Sequence, residues 1–252
     1  MRVIASYLGL ILAMILCGMP LASAQVAEHF YNPPENINPD PDYAPGDYAL
    51  PELYAARVTY QILKAQLTEA AAASAAPVTL GLGEITFSSA KNESATVLGY
   101  FRNYFGALNL GAEGLESMNL VIDVNSLDTG VPGRNNRILA IFFESMKPEL
   151  GVATVRFDSF DLGGKTLGTW QDGQAGVVKA GGVLTMNAVV REISAELNVT
   201  RQGGTWVVES ASPLKLMISD YEFGNRPYDL MKECNHKALG NAVEVNVKLY
   251  LR

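Results

Sequence analysis

From Val78 to the C-terminus, apolar residues recur at every second position in short runs separated by Gly, Asn and Asp, and no other feature constrains the fold as much. The cleanest run is the last: Val243, Val245, Val247, Leu249 and Leu251 have one parity, Glu244, Asn246, Lys248 and Arg252 the other. Successive side chains of a strand point to opposite faces, so such a run makes a strand with one apolar face. The same alternation places Ala153, Val155 and Phe157 against Thr154, Arg156 and Asp158, and Ile193, Ala195, Leu197 and Val199 against Ser194, Glu196, Asn198 and Thr200. Val178, Ala180, Gly182, Leu184 and Met186 form another such face, and Leu214, Leu216 and Ile218 follow Pro213. Val97–Leu110 carries Phe101, Tyr104 and Phe105 around a break expected at Gly106, and only Tyr228–Leu239 offers a short helix. Many strands with one apolar face each indicate an all-β sandwich or closed barrel.

The chain ahead of this region differs. Arg2 supplies a positive start, Val3 to Leu16 is an apolar run short for a bilayer, and Leu21-Ala22-Ser23-Ala24 offers small residues for cleavage. Residues 1–24 are therefore expected to be a signal peptide, cut near Ala24, rather than an anchor, with the mature protein periplasmic or secreted. Leu16 ahead of Cys17 argues against a lipoprotein. Residues 25–49 are rich in Pro, Asn, Asp and Tyr and read as an extended leader. From Leu50 to Ala76 the period becomes four, with Leu50, Tyr54, Val58 and Ile62 in line and Leu53, Tyr60, Leu63 and Leu67 beside them. This is a helix with a broad apolar face, started by Pro51 and ended by Pro77. It either packs on the main domain or plugs a barrel mouth.

Removing residues 1–24 removes one charge, Arg2, and takes the formal net charge from −7 to −8. An acidic chain argues against nucleic acid and against anionic membrane surfaces as electrostatic partners. It also leaves Cys234 without an intrachain disulfide partner, and burial is the expected fate of that thiol.

Asn119–Met146 combines a strand, a Gly/Pro-rich reversal with two arginines, and the pair Phe142-Phe143. Its Asp128-Thr129-Gly130 has the signature of an aspartic protease, in which two carboxylates share a proton. No second Asp-Thr-Gly or Asp-Ser-Gly occurs, and Ile138-Leu139 runs into Ala140 where a supporting glycine would stand. Asp128 and Gly130 are read as a structural turn, with Arg134 expected to anchor it through Asp128. If the following segment is extended, only one of Phe142 and Phe143 can face the interior. Gly164-Lys165-Thr166 looks like the end of a phosphate loop, but Ser159 stands at the first glycine and Gly163-Gly164 suits a hairpin turn. With two histidines, His29 and His236, no His-rich metal site can be built, and Cys234 with His236 supplies at most half a zinc site. No catalytic residues and no metal site are assigned.

Several motifs in order carry a resemblance. Ser126-Leu127-Asp128-Thr129-Gly130, Arg134, Leu139 and Phe142-Phe143, then Ala153-Thr154-Val155-Arg156-Phe157-Asp158-Ser159, resemble the YceI-like polyisoprenoid-binding proteins. Val183-Leu184-Thr185-Met186, Asp220-Tyr221-Glu222-Phe223-Gly224 and Gly240–Leu249 fall where that family has its later motifs. The resemblance spans about Leu80 to Arg252. The family's Arg-Asp is Arg134-Asn135 here, its glycine after Leu-Thr-x is Asn187, and Ile85–Ser89 lacks its usual His-Ser.

The resemblance implies an antiparallel, extended lipocalin-like barrel of eight strands over residues 78–252. It further implies an exported, non-enzymatic protein that holds a long apolar lipid, a polyisoprenoid or isoprenoid quinone, with transient membrane contact for exchange and no other cofactor. The wall residues expected to touch that ligand are Phe101, Ile122, Val124, Phe142, Phe143, Phe157, Leu184, Leu197, Leu216, Ile218, Val245 and Val247. A barrel filled by its own aromatics, acting as a structural or protein-interaction module through residues 25–76, is the alternative; hydrolysis at Asp128 is a weaker one. The sequence leaves homodimerisation open.

Overall fold

The computed structural model describes residues 50–72, 77–92, 95–111, 114–164 and 170–252. The expectations for the signal peptide 1–24, the leader 25–49, the helix end 73–76 and Lys165-Thr166 lie outside the described residues. Eleven strand segments form one antiparallel sheet. They are β1 (Pro77–Lys91), β2 (Ala95–Phe101), β3 (Tyr104–Gly111), β4 (Gly114–Asp123), β5 (Leu127–Asp128) and β6 (Val152–Asp161). After these come β7 (Ala175–Met186), β8 (Val189–Gln202), β9 (Thr205–Ser210), β10 (Leu214–Met217) and β11 (Leu239–Leu251). The sheet closes because β11 pairs with β1 from Leu80↔Leu251 to Lys91↔Leu239. The expected lipocalin-like barrel is therefore the fold.

Three interruptions let eleven segments occupy eight positions around the barrel. β2 and β3 face β1 in a single register on either side of Arg102-Asn103. β5 meets β2 as β4 meets β3, with the 3-10 turn Val124–Ser126 between them. β9 and β10 lie in succession against β11, divided near Pro213, which has no N–H for the ladder. The break expected at Gly106 thus falls at Arg102-Asn103, and Gly106 pairs with Leu120 inside β3. The reason is chemical: the Arg102 N–H donates to Ser126 O at 3.2 Å and the Asn103 N–H to Ser126 Oγ at 2.9 Å, so the turn replaces the ladder.

Backbone conformation sets two junctions. The β7–β8 hairpin turns on Asn187 and Ala188, both left-handed at φ 55° and 59°. Asn tolerates that region better than most residues, so it can stand where the resemblance has glycine. At Gly182 β7 passes the β6 bulge so closely that an added Cβ would lie 2.0 Å from Arg156 O.

Among the described residues three α-helices decorate the barrel: α1 (Leu50–Ala72), α2 (Pro132–Arg137) and α3 (Arg226–Glu233). α1 packs on β1, β3, β4 and the 3-10 turn. It lies outside the wall, since Val121 and Asp123, on the outward parity of β4, are nevertheless buried beneath it. Lys64 Nζ sits 5.7 Å from the Phe105 ring, and burial, then Asp123, push the Tyr60 hydroxyl up to about 12. Packing on the domain, rather than plugging the mouth, is what the helix does. Among its described side chains Tyr60 and Ala71 are buried and Leu63 and Leu67 half-buried, so three residues of the expected broad face turn inward, whereas Ile62, also expected there, is 38% exposed. α3 begins and ends earlier than Tyr228–Leu239, because Pro227 occupies its first turn.

The larger correction lies after Pro132. Instead of an extended wall strand, the chain forms α2 and runs directly into a π-helical turn, Ile138–Phe142. Pro132 at the first helical position suits a start, and among the described residues no strand pairs with this segment.

Candidate functional site

One end of the barrel is solid. Leu108, Trp170, Val178, Val199, Trp206, Val208, Leu249 and Leu251 fill it, and the two indoles lie 6.0 Å apart. The other end holds a cavity of about 220 Å³, an order of magnitude more than the roughly 10–15 Å³ one water requires.

All twelve wall residues expected from the sequence border this cavity. Phe101, Ile122, Phe157, Leu184, Leu197, Leu216, Val245 and Val247 reach it by strand parity, and Val124 and Ile218 from 3-10 turns. Phe142 and Phe143 both face it, against the expectation that only one could. The helical spacing is the cause. Arg134, Ile138 and Phe142 follow one another at i, i+4, i+8 along one face, and the wider π turn brings Phe143 beside them.

Aromatic rings and one arginine build the roof. Phe142 stacks on Phe223 with centroids 4.3 Å apart, and Phe143 meets Phe142 edge-on at 4.9 Å. Arg226 lies over the Phe223 ring at 5.0 Å, donates to Phe223 O at 2.9 Å and Phe143 O at 3.3 Å, pairs with Glu144 at 3.3 Å and donates to Asn187 Oδ1. It rivets the π turn, the β7–β8 hairpin and α3 together. Burial lowers its pKa while Glu144 opposes that. Sequence reading did not single out Arg226; its position between Phe223-Gly224 and Pro227 was the available signal.

Asp128 lies apart from the cavity wall and is fully occupied by donors. Oδ1 accepts from the Gly130 N–H at 2.7 Å and Asn135 Nδ2 at 3.1 Å; Oδ2 accepts from Tyr100 Oη and Arg102 Nε, both at 3.0 Å. The Gly130 N–H, then Arg102 and Asn135, hold this carboxyl well below the usual carboxylate range. Gly130, at φ 74°, makes the turn. Arg134 is not the anchor: Arg102 and Asn135 take that place, and Arg134 faces the cavity instead. Asn135 Oδ1 accepts from Thr129 N–H and Oγ1 at 2.9 and 2.6 Å. Its amide can also donate to Asp128, which the aspartate of the resembled pattern could do only if protonated.

Cys234 and His236 line the same cavity, and among the described residues no third ligand-type side chain joins them in a metal-binding group. Burial raises the Cys234 pKa.

A closed antiparallel barrel, solid at one end and hollow and apolar at the other, defines a lipocalin-like protein. Residues 78–251 match the family model of the YceI-like domain, and the chain belongs to that family. A polyisoprenoid-binding domain from Saccharophagus degradans, implicated in plant cell wall breakdown, is 25% identical and has a TM-score of 0.61, over 69% of this chain and 97% of its own. BcnA of Burkholderia cenocepacia shares the fold at 16% identity, with a TM-score of 0.53 over 67% of this chain and 95% of its own. No curated protein matches the chain.

Proposed function

We propose that the protein is a non-enzymatic binder of a long apolar lipid, a polyisoprenoid or isoprenoid quinone, exported to the periplasm, where it carries or sequesters that lipid. The observation that carries this reading is the cavity: strand and roof residues give it an almost wholly apolar wall, with no Asp or Glu among the described residues that line it. The ligand named for the Saccharophagus degradans domain supports the same class.

Energetics shape the role. Each buried methylene gains about 0.8 kcal/mol relative to water, so one isoprene unit contributes roughly 3–4 kcal/mol gross. A chain of several units would approach the ceiling near −20 kcal/mol. Such a lipid starts in a membrane, already in hydrocarbon, so the net transfer of its tail is close to zero. Binding is then reversible exchange with a bilayer, as a carrier needs.

Native mass spectrometry with lipid extraction, on protein purified from its own periplasm, tests this. A co-purifying prenyl lipid is the expected result. An empty barrel that also rejects added quinone overturns the reading.

A further inference from the structure

The side wall of the barrel has a seam. The β8–β9 ladder ends at Leu197↔Ser210, and β10 pairs with β11 alone, from Leu214↔Val245 to Met217↔Ala242. Pro213, between β9 and β10, has no N–H with which to carry the ladder on. The first half of β8 therefore keeps its ladder with β7 on one side only. On its other side β8 and β10 share no ladder and stand farther apart than paired strands do.

Two clasps bound the gap. Towards the solid end the Ala211 N–H donates to Glu196 O at 2.8 Å. Beneath the roof Asn187 Nδ2 donates to Tyr221 O at 2.7 Å, and Arg191 pairs with Glu222 at 3.1 Å. Between the clasps, among the described residues, no hydrogen bond joins the two lips. Both lips belong to the cavity: Ile193 and Ala195 border it from β8, and Leu214, Leu216 and Met217 from β10. Val190, on the outward parity of β8, is 50% exposed beside them, an apolar side chain held in water along the outer rim.

Elsewhere at this level the wall is bonded. The pairs β1–β11, β1–β2, β4–β6, β6–β7 and β7–β8 are laddered. The stretch after β5 is taken by α2 and the π turn, held down by the Phe142–Phe223 stack and by Arg226. Parting β8 from β10 between the clasps breaks none of these bonds, and local opening follows the least-bonded path. Size adds a second reason for an opening there. The cavity of about 220 Å³ lies below the roughly 300–1,000 Å³ of pockets that enclose a drug-sized ligand, so a tail of several isoprene units overruns it.

We propose that the lipid enters and leaves sideways, through the seam between β8 and β10. This rests on the lipid-binding reading and names the route to that site. A slot in the wall lets a chain pass from a bilayer into the cavity along its length without crossing water.

The test straps the seam from outside. In a Cys234→Ser background, Glu192→Cys with Lys215→Cys puts one thiol on the outward face of each lip, for bridging by a bis-maleimide. The control strap, Val183→Cys with Glu192→Cys, spans the laddered β7–β8 pair. The readout is the rate at which bound geranylgeraniol passes to phosphatidylcholine vesicles. The seam strap should slow transfer by about tenfold or more, and the control strap should leave it unchanged. Should the double-cysteine protein fail to fold, Arg191→Gln, which undoes one clasp at an exposed site, should speed transfer about two- to fivefold, as high salt should in wild type. Transfer through a strapped seam at the unstrapped rate, or unchanged transfer in Arg191→Gln, overturns the proposal and leaves the lipid reading standing. Equal slowing by both straps marks general stiffening and also overturns it. Failure of wild type to bind geranylgeraniol overturns both.

Discussion

One strand, β11, passes through two different interiors. Leu249 and Leu251 are completely buried in the solid end, touching the indole-filled core. Val243, Val245 and Val247 have the same parity but are only partly buried, because they border a void. Identical alternation therefore produces a packed core at one end and a container wall at the other. What separates them is what lies across the barrel: large side chains such as Trp206 and Trp170 fill the first, while the second is spanned by a helical roof resting on Phe142, Phe143 and Phe223. The solid end can hold the sheet closed while the hollow end remains free to exchange its contents.

Truncating leucines at the two ends breaks or sharpens this contrast most strongly. Leu249→Ala should cost about 3 kcal/mol or more in urea unfolding, since it leaves a new cavity in close packing. Leu216→Ala, beside an existing void, should cost about 1 kcal/mol. Equal costs would mean that the second end is as full as the first. Arg226→Ala, which removes the rivet of the roof, should cost about 1.5–3 kcal/mol and weaken the near-ultraviolet signal of the aromatic cluster. A full loss of signal with no loss of stability would show that the roof is independent of the barrel.

The turn at Asp128 has a pH signature. Its folded pKa lies below the unfolded value, so its stabilisation is present above the ordinary carboxylate range and is lost as pH falls beneath about 4. Asp128→Asn should therefore lower the melting temperature at pH 7, and the gap to wild type should narrow in acid. A gap that is constant with pH would remove the ionic part of that account. The smallest effect belongs to α1, where Ile62→Lys on the exposed face should change stability by less than about 0.5 kcal/mol. A larger loss would place Ile62 in a contact with some other part of the chain or with a partner.

How much of this was legible from residues alone depended on the range of the interaction. Strand parity is local, and alternation alone puts all of the twelve wall residues but Phe142 and Phe143 on the cavity, although Val124 and Ile218 reach it from 3-10 turns rather than strands. Phe142-Phe143 was ambiguous because a short apolar run looks the same in a strand and in a buried helix. The deciding signal, Pro132 as a helix start, was there in the sequence. Nearness along the chain points Asp128 to Arg134, whereas its arginine partner, Arg102, is remote in sequence and reaches it only through the pairing of β2 with β5. β9, with Trp206 and Val208, has a Thr205–Ser210 run rich in β-formers but too short for its alternation to stand out. The seam between β8 and β10 could not be read in advance, because only barrel closure brings those two segments to face each other.

The central claim is that the hollow end is a container. Ala153 lies on its wall, on β6 where it pairs with Ile122 of β4. Equilibrium dialysis of farnesol against wild type and Ala153→Phe, both first shown to melt cooperatively, tests the claim most directly. Saturable binding by wild type that is lost when the phenyl ring occupies the void is the predicted result; undiminished binding by Ala153→Phe would contradict it.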